Sequence, residues 1–152
     1  MKHDLAGGVV GILALVLWGC AGTPRGDVPP GPVSVKSYNL MDPAPLNAAV
    51  DEGVREGAAW VREPLLIVLR DFSGEDTRNI TLDVDYNRVQ AADSCVVTRV
   101  LEGLADDSLG GLWDQFHLHR TADGSWRCHE VRAATRCARG PNVVDFTKEL
   151  CP

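Results

Sequence analysis

Residues 112–136 read LWDQFHLHRTADGSWRCHEVRAATR, and this stretch decides the fold. Ala122-Asp123-Gly124-Ser125 is a hairpin turn signal, because Gly tolerates the positive φ that a tight turn needs and Asp favours turn geometry. Leu112–Arg120 before the turn and Trp126 to about Arg136 after it are long enough and rich enough in aromatic and branched residues to be strands. A tight turn between them makes the pair antiparallel.

Working outward, Ile80, Leu82, Val84 and Tyr86 alternate with Thr81, Asp83 and Asp85, the period of a strand with one buried face. Cys95–Leu101 reads as another strand, across the polar loop of residues 87–94. Leu65–Leu69, an unbroken apolar run bounded by Pro64 and Ser73-Gly74, is expected to be a fully buried strand. Upstream, Asp42-Pro43 offers a cap and a first-turn proline, and Leu46, Ala49, Val50, Val54, Ala58 and Val61 recur at helical spacing until Glu63-Pro64 stops the run. One helix followed by five strands without βαβ alternation predicts an α+β domain. In it, an N-terminal helix packs on a curved antiparallel sheet of about five strands, stabilised by disulfides. That architecture resembles the cystatin-like and NTF2-like rolls over residues 43–137.

The chain begins differently. Leu5–Trp18 is an uncharged run whose helical length, about 21 Å, falls short of a hydrocarbon core about 30 Å thick. A secretory h-region fits it better than a permanent span. The run closes in Leu17-Trp18-Gly19-Cys20, which resembles the lipobox of bacterial lipoproteins, with Trp18 bulkier than the residue usual at its position. The resemblance implies acylation of Cys20, removal of residues 1–19 and anchoring to a membrane by lipid. Gly19-Cys20-Ala21 also fits an ordinary cleavage site, and an uncleaved anchor is the third reading. Ala21, after the anchor cysteine, implies sorting to the outer membrane, facing the periplasm. Residues 20–41, with Pro24, Pro29, Pro30 and Pro32 among Gly22, Gly26 and Gly31, read as an acylated cysteine followed by an extended tether. Residues 42–152 form the single domain.

The net charge is −6 over 152 residues. One Lys and one Asp fall in residues 1–19, so the balance is unchanged without them. An acidic chain of this kind disfavours nucleic acid as a partner and adsorption onto anionic lipid. Membrane attachment then depends on the lipid itself, and the expected partners are an envelope protein or a small ligand.

The five cysteines are Cys20, Cys95, Cys128, Cys137 and Cys151. If Cys20 carries lipid, the other four can pair completely. Cys137 with Cys151 would clip a tail that has little periodicity of its own, leaving Cys95 with Cys128. Three pairings are open. In a simple meander the fourth strand would hold Cys95 and Cys128 roughly 10 Å apart, too far to bridge.

His117 and His119 are two apart on a strand and share a face. With a two-residue turn, His117 lies across from Glu130 and His119 from Cys128. His117, His119 and Glu130 are therefore candidate ligands for zinc or copper, an arrangement that a one-residue bulge would disturb. No other cofactor is indicated. Neither a nucleophile with a positioned base nor a phosphate loop nor a dinucleotide fingerprint is present. The expected function is therefore a non-enzymatic binding or structural module anchored in the bacterial envelope. A periplasmic metal-binding protein is the alternative, and a small roll-fold hydrolase would need a buried acid–base pair.

Overall fold

The computed structural model describes residues 33–72, 74 and 76–152. The lipobox Leu17–Cys20, the apolar run before it and most of the tether lie outside the described residues. Among the described residues no helix is long and apolar enough to cross a membrane.

The core of the fold is a five-stranded antiparallel sheet, in the order β1-β5-β4-β3-β2. The strands are β1 Asn39–Met41, β2 Asn79–Tyr86, β3 Ser94–Glu102, β4 Leu109–Arg120 and β5 Trp126–Cys137. The last four form the expected meander. The remaining strand is a correction: it is not Leu65–Leu69 but the three-residue β1, paired with Val131, Arg132 and Ala133.

Pro64–Leu69 is instead a short helix, α2. Pro64 stands in its first turn, where the missing N–H costs no hydrogen bond, and Pro64, Ile67 and Val68 are buried at the i, i+3, i+4 spacing of one helical face. The upstream helical stretch is also divided. α1 spans Ala44–Glu56. It ends where Gly57 takes φ +68°, with Gly57 N–H donating to Val54 O and Ala58 N–H to Gly53 O. A turn of 3-10 helix, Ala59–Arg62, leads on to α2. Asp42 accepts a hydrogen bond from Ala44 N–H at 2.9 Å at the opposite end of α1.

One sheet face is apolar and covered. Cys95, Val97, Phe116, Leu118, Cys128 and Val131 pack in one cluster with Val50, Val61, Ile67 and Val68. α1 is also fastened to β5 by polar contacts. Asn47 Nδ2 donates to Cys128 O at 2.7 Å, Cys128 N–H donates to Asn47 Oδ1 at 3.0 Å, and Asp51 pairs with Arg127 at 2.6 Å. Asn47 thus stands in for a strand, satisfying backbone groups on the outer edge of β5.

The opposite face is covered only in part. Phe146 of the C-terminal tail joins Val100, Trp113 and Ala134 in a second, smaller cluster, with Val35 beside it. Two bridges hold the tail, Val35 with Phe146 and Thr135 with Thr147. The tail is clipped by the Cys137–Cys151 disulfide.

The second expected bridge is not formed, and Cys95 and Cys128 are buried free thiols. Leu118 of β4 pairs with Cys95 on one side and Cys128 on the other, so a whole strand separates the two sulfurs. With two thiols left over, complete pairing of four cysteines no longer speaks for lipidation of Cys20.

Candidate functional site

The partly covered sheet face changes character along β4. Trp113 is buried under the tail, whereas Gln115 and His117 are half-buried and His119 is exposed. Toward the β4–β5 hairpin this face is therefore open and polar.

Its geometry depends on two departures from the simple hairpin. The turn is a five-residue connection, Thr121–Ser125, closed by Arg120 pairing with Trp126. It is braced by Asp123, whose carboxylate accepts from Ser125 N–H at 3.0 Å and sits 2.5 Å from Thr121 Oγ1. The longer turn shifts the register by one residue, so His119 pairs with Arg127 rather than Cys128. A bulge between His117 and Leu118 then shifts it back, because His129 has no partner of its own. The two offsets cancel beyond the bulge, and His117 does lie across from Glu130.

That pairing does not make a ligand pair. His117 Nε2 is 3.8 Å from Glu130 Oε1, while Arg132 holds the same oxygen through Nε at 2.7 Å and through its terminal nitrogen at 2.6 Å. Glu130 is thus the counterion of Arg132. The Arg132 guanidinium in turn stacks on Tyr38, 4.9 Å from the ring centre.

His117 is bound instead to its own strand neighbour. Its Nε2 is 3.0 Å from Gln115 Oε1, which also accepts from Arg132 at 3.4 Å, while Gln115 Nε2 donates to Thr98 Oγ1 at 3.3 Å. A carbonyl oxygen facing two donors fixes the tautomer: Nε2 carries the proton and Nδ1 the lone pair. Partial burial and, after it, the nearby Arg132 charge lower the His117 pKa below the usual imidazole value, with Glu130 opposing.

The longer turn brings in a residue that sequence reasoning missed, because with Leu118 paired to Cys128 the next residue, His129, falls on the His117 face. The His129 ring lies 6.0 Å from that of His117 and 5.8 Å from that of His119, between the centres. In the register of a two-residue turn His129 falls on the other face, and nothing in the sequence signals the five-residue connection. A depression of about 430 Å³ adjoins the cluster, lined by Asp85, Asn87, Ser94, Val96, His117 and His129 among others. As the side chains stand, no group of three or more His, Cys, Asp or Glu among the described residues is gathered closely enough to hold a metal ion. His117, His119 and Glu130 are therefore not a ready-made site.

The thiols belong to the apolar cluster on the other sheet face. Burial first, and the neighbouring Cys128 second, push Cys95 up to about 11; burial does the same to Cys128. Neither is a poised nucleophile. The carboxylates of the β3–β4 loop are engaged too: Glu102 pairs with Arg136, and Asp106 accepts from Ser108 N–H and Oγ–H.

No protein-family model matches the chain, and neither a curated protein nor a solved structure matches it.

Proposed function

We propose that this chain is a bacterial envelope lipoprotein, held by lipid on Cys20 in the outer membrane and facing the periplasm, whose domain is a non-enzymatic binding module. The observation that carries the anchoring is Leu17-Trp18-Gly19-Cys20 at the end of an uncharged run too short to span a bilayer. A multiply acylated cysteine gives a stable anchor, because each buried methylene contributes about 0.8 kcal/mol and a single chain binds only reversibly. The proline-rich tether and the acidic balance fit a domain carried clear of the membrane and attached by lipid alone.

In this reading the sheet curves in the manner of the cystatin-like rolls and presents its open face to the ligand. Gln115, His117, His119 and Arg132 are offered there on a rigid strand pair, beside the tail that covers Trp113. Preorganised polar groups at the edge of a covered apolar cluster suit recognition of a small ligand or an envelope protein.

The test is the intact mass of the protein extracted from membranes of a bacterial host. The expected species begins at Cys20 and carries a diacylglycerol and an amide-linked acyl chain. Cys20→Ser should leave the precursor uncleaved. A mature chain starting at Ala21 or Gly22 would overturn the proposal.

A further inference from the structure

We propose that His117, His119 and His129 together bind one divalent transition-metal cation, a site assembled by the five-residue β4–β5 turn and excluding Glu130. The proposal rests on the reading of the open sheet face as the ligand surface, and it is independent of whether Cys20 carries lipid.

Zinc bound to imidazole at about 2.0–2.1 Å, with tetrahedral angles, holds two ring centres about 5.2 Å apart. The His129 ring lies 6.0 Å from His117 and 5.8 Å from His119. The excess in each case is less than about 1 Å, within the reach of modest side-chain rotation, since the terminal torsion of His is broad. His117 and His119 share one face of β4, and the His129 ring lies beside both. His119 and His129 are exposed, which leaves them free to turn and leaves a fourth coordination position open to water.

The surroundings favour this set over the one that contains Glu130. The Glu130 oxygen that faces His117, Oε1, is held by two Arg132 nitrogens. His117 Nε2 is spent on Gln115, so a metal would be met by Nδ1, in the arrangement where a ligating imidazole is oriented through its other nitrogen. The bulge itself is anchored from the side opposite β4, because Asn47 of α1 makes two hydrogen bonds with the backbone of Cys128, next to His129. The adjoining depression brings Asp85 near the cluster, a negative charge suited to a cation.

The experiment is calorimetric titration of the full chain in detergent with zinc chloride, repeated for H129A, H119A, E130Q and the triple variant H117A/H119A/H129A, with circular dichroism as the check on folding. One zinc per chain is expected. H129A and H119A should each weaken binding at least about tenfold, the scale on which perturbing a metal site is felt, and E130Q should stay within about threefold of the wild type. The absence of zinc binding in the wild type, undiminished binding in the triple variant, or an E130Q loss equal to that of H129A would overturn the proposal. Intact mass at Cys20 reports separately on anchoring, so the failure of one reading does not imply failure of the other.

Discussion

Phe146 of the C-terminal tail occupies the space above Gly111 of β4: a Cβ on that glycine would meet two Phe146 ring carbons at 3.2 Å each. The absence of a side chain at Gly111 lets the aromatic ring reach Val100, Trp113 and Ala134, and Phe146 is left only 2% exposed. The Arg136 guanidinium stacks on the same ring, 5.1 Å from its centre. Phe146→Ala should therefore lower stability by about 3–5 kcal/mol, the range for emptying an aromatic core position. Urea unfolding followed by tryptophan fluorescence measures it, and a loss below about 1 kcal/mol would contradict the packing described.

The clip acts on the same tail by a different route. Cys137 and Cys151 lie 14 positions apart, with Cα atoms at 5.3 Å. Closing a loop of about 15 residues removes unfolded-state entropy worth about 3 kcal/mol in the chain-entropy model. Cys151→Ser is expected to lower the unfolding free energy by about that amount. Reductant should then shift the melting curve of the wild type but not that of the variant. An equal shift in both would place the effect elsewhere.

These two contributions differ in how far the sequence announced them. Pairing of Cys137 with Cys151 was favoured by their position around an aperiodic tail but remained one of three open pairings, whereas the seat of Phe146 was not legible at all, because it depends on which glycine lies beneath it. The four meander strands were legible from their alternation and from the turn at Asp123-Gly124. Leu65–Leu69 was misread because a short, fully apolar run has no period to examine; the deciding signal was Pro64 at a helix start with Ile67 and Val68 on one face. β1, three residues long, offers no pattern at all. At the candidate site, facing of His117 and Glu130 was legible only because a five-residue turn and the bulge at His129 offset each other. His129 itself was not, since a two-residue turn would aim it at the other face and only the five-residue connection brings it to the His117 face.

The hairpin makes a pH prediction. Hydrogen bonds from Thr121 first, and from Ser125 N–H and Oγ–H after it, lower the Asp123 pKa from 3.8 to about 2. A carboxyl held lower in the folded chain than in the unfolded one contributes stability that is present above pH 3.8 and lost as pH falls through about 2. Asp123→Asn removes the charge and leaves only a neutral amide oxygen to accept the three contacts now made to Oδ1. The variant should be less stable than the wild type at pH 7, and the difference should shrink between pH 4 and pH 2. Thermal melts across that range measure it; a constant difference would mean that Asp123 does not titrate as described.

The buried thiols connect the core to the question of the anchor. Cys95 and Cys128 have ionisation raised from 9.0 to about 11, so at pH 8 each carries about a hundredfold less thiolate than an ordinary cysteine. A raised pKa in the folded state contributes stability that is complete below pH 9 and is lost as pH rises from there through about 11. Native protein at pH 8 should thus react with Ellman's reagent only as fast as the core opens, and melting temperature should fall across pH 9–11 in the wild type and far less in C95A/C128A. Denatured, unreduced protein discriminates further. With Cys137 and Cys151 joined, Cys95 and Cys128 contribute two reactive thiols, and a third appears only if the Cys20 sulfur is free. Protein taken from membranes should therefore yield two thiols per chain, and the same chain made without export, once oxidised to close Cys137–Cys151, should yield three. Three from both sources would remove the lipid from Cys20, and fewer than two from the unexported chain would mean that Cys95 and Cys128 do find a partner once β4 no longer separates them.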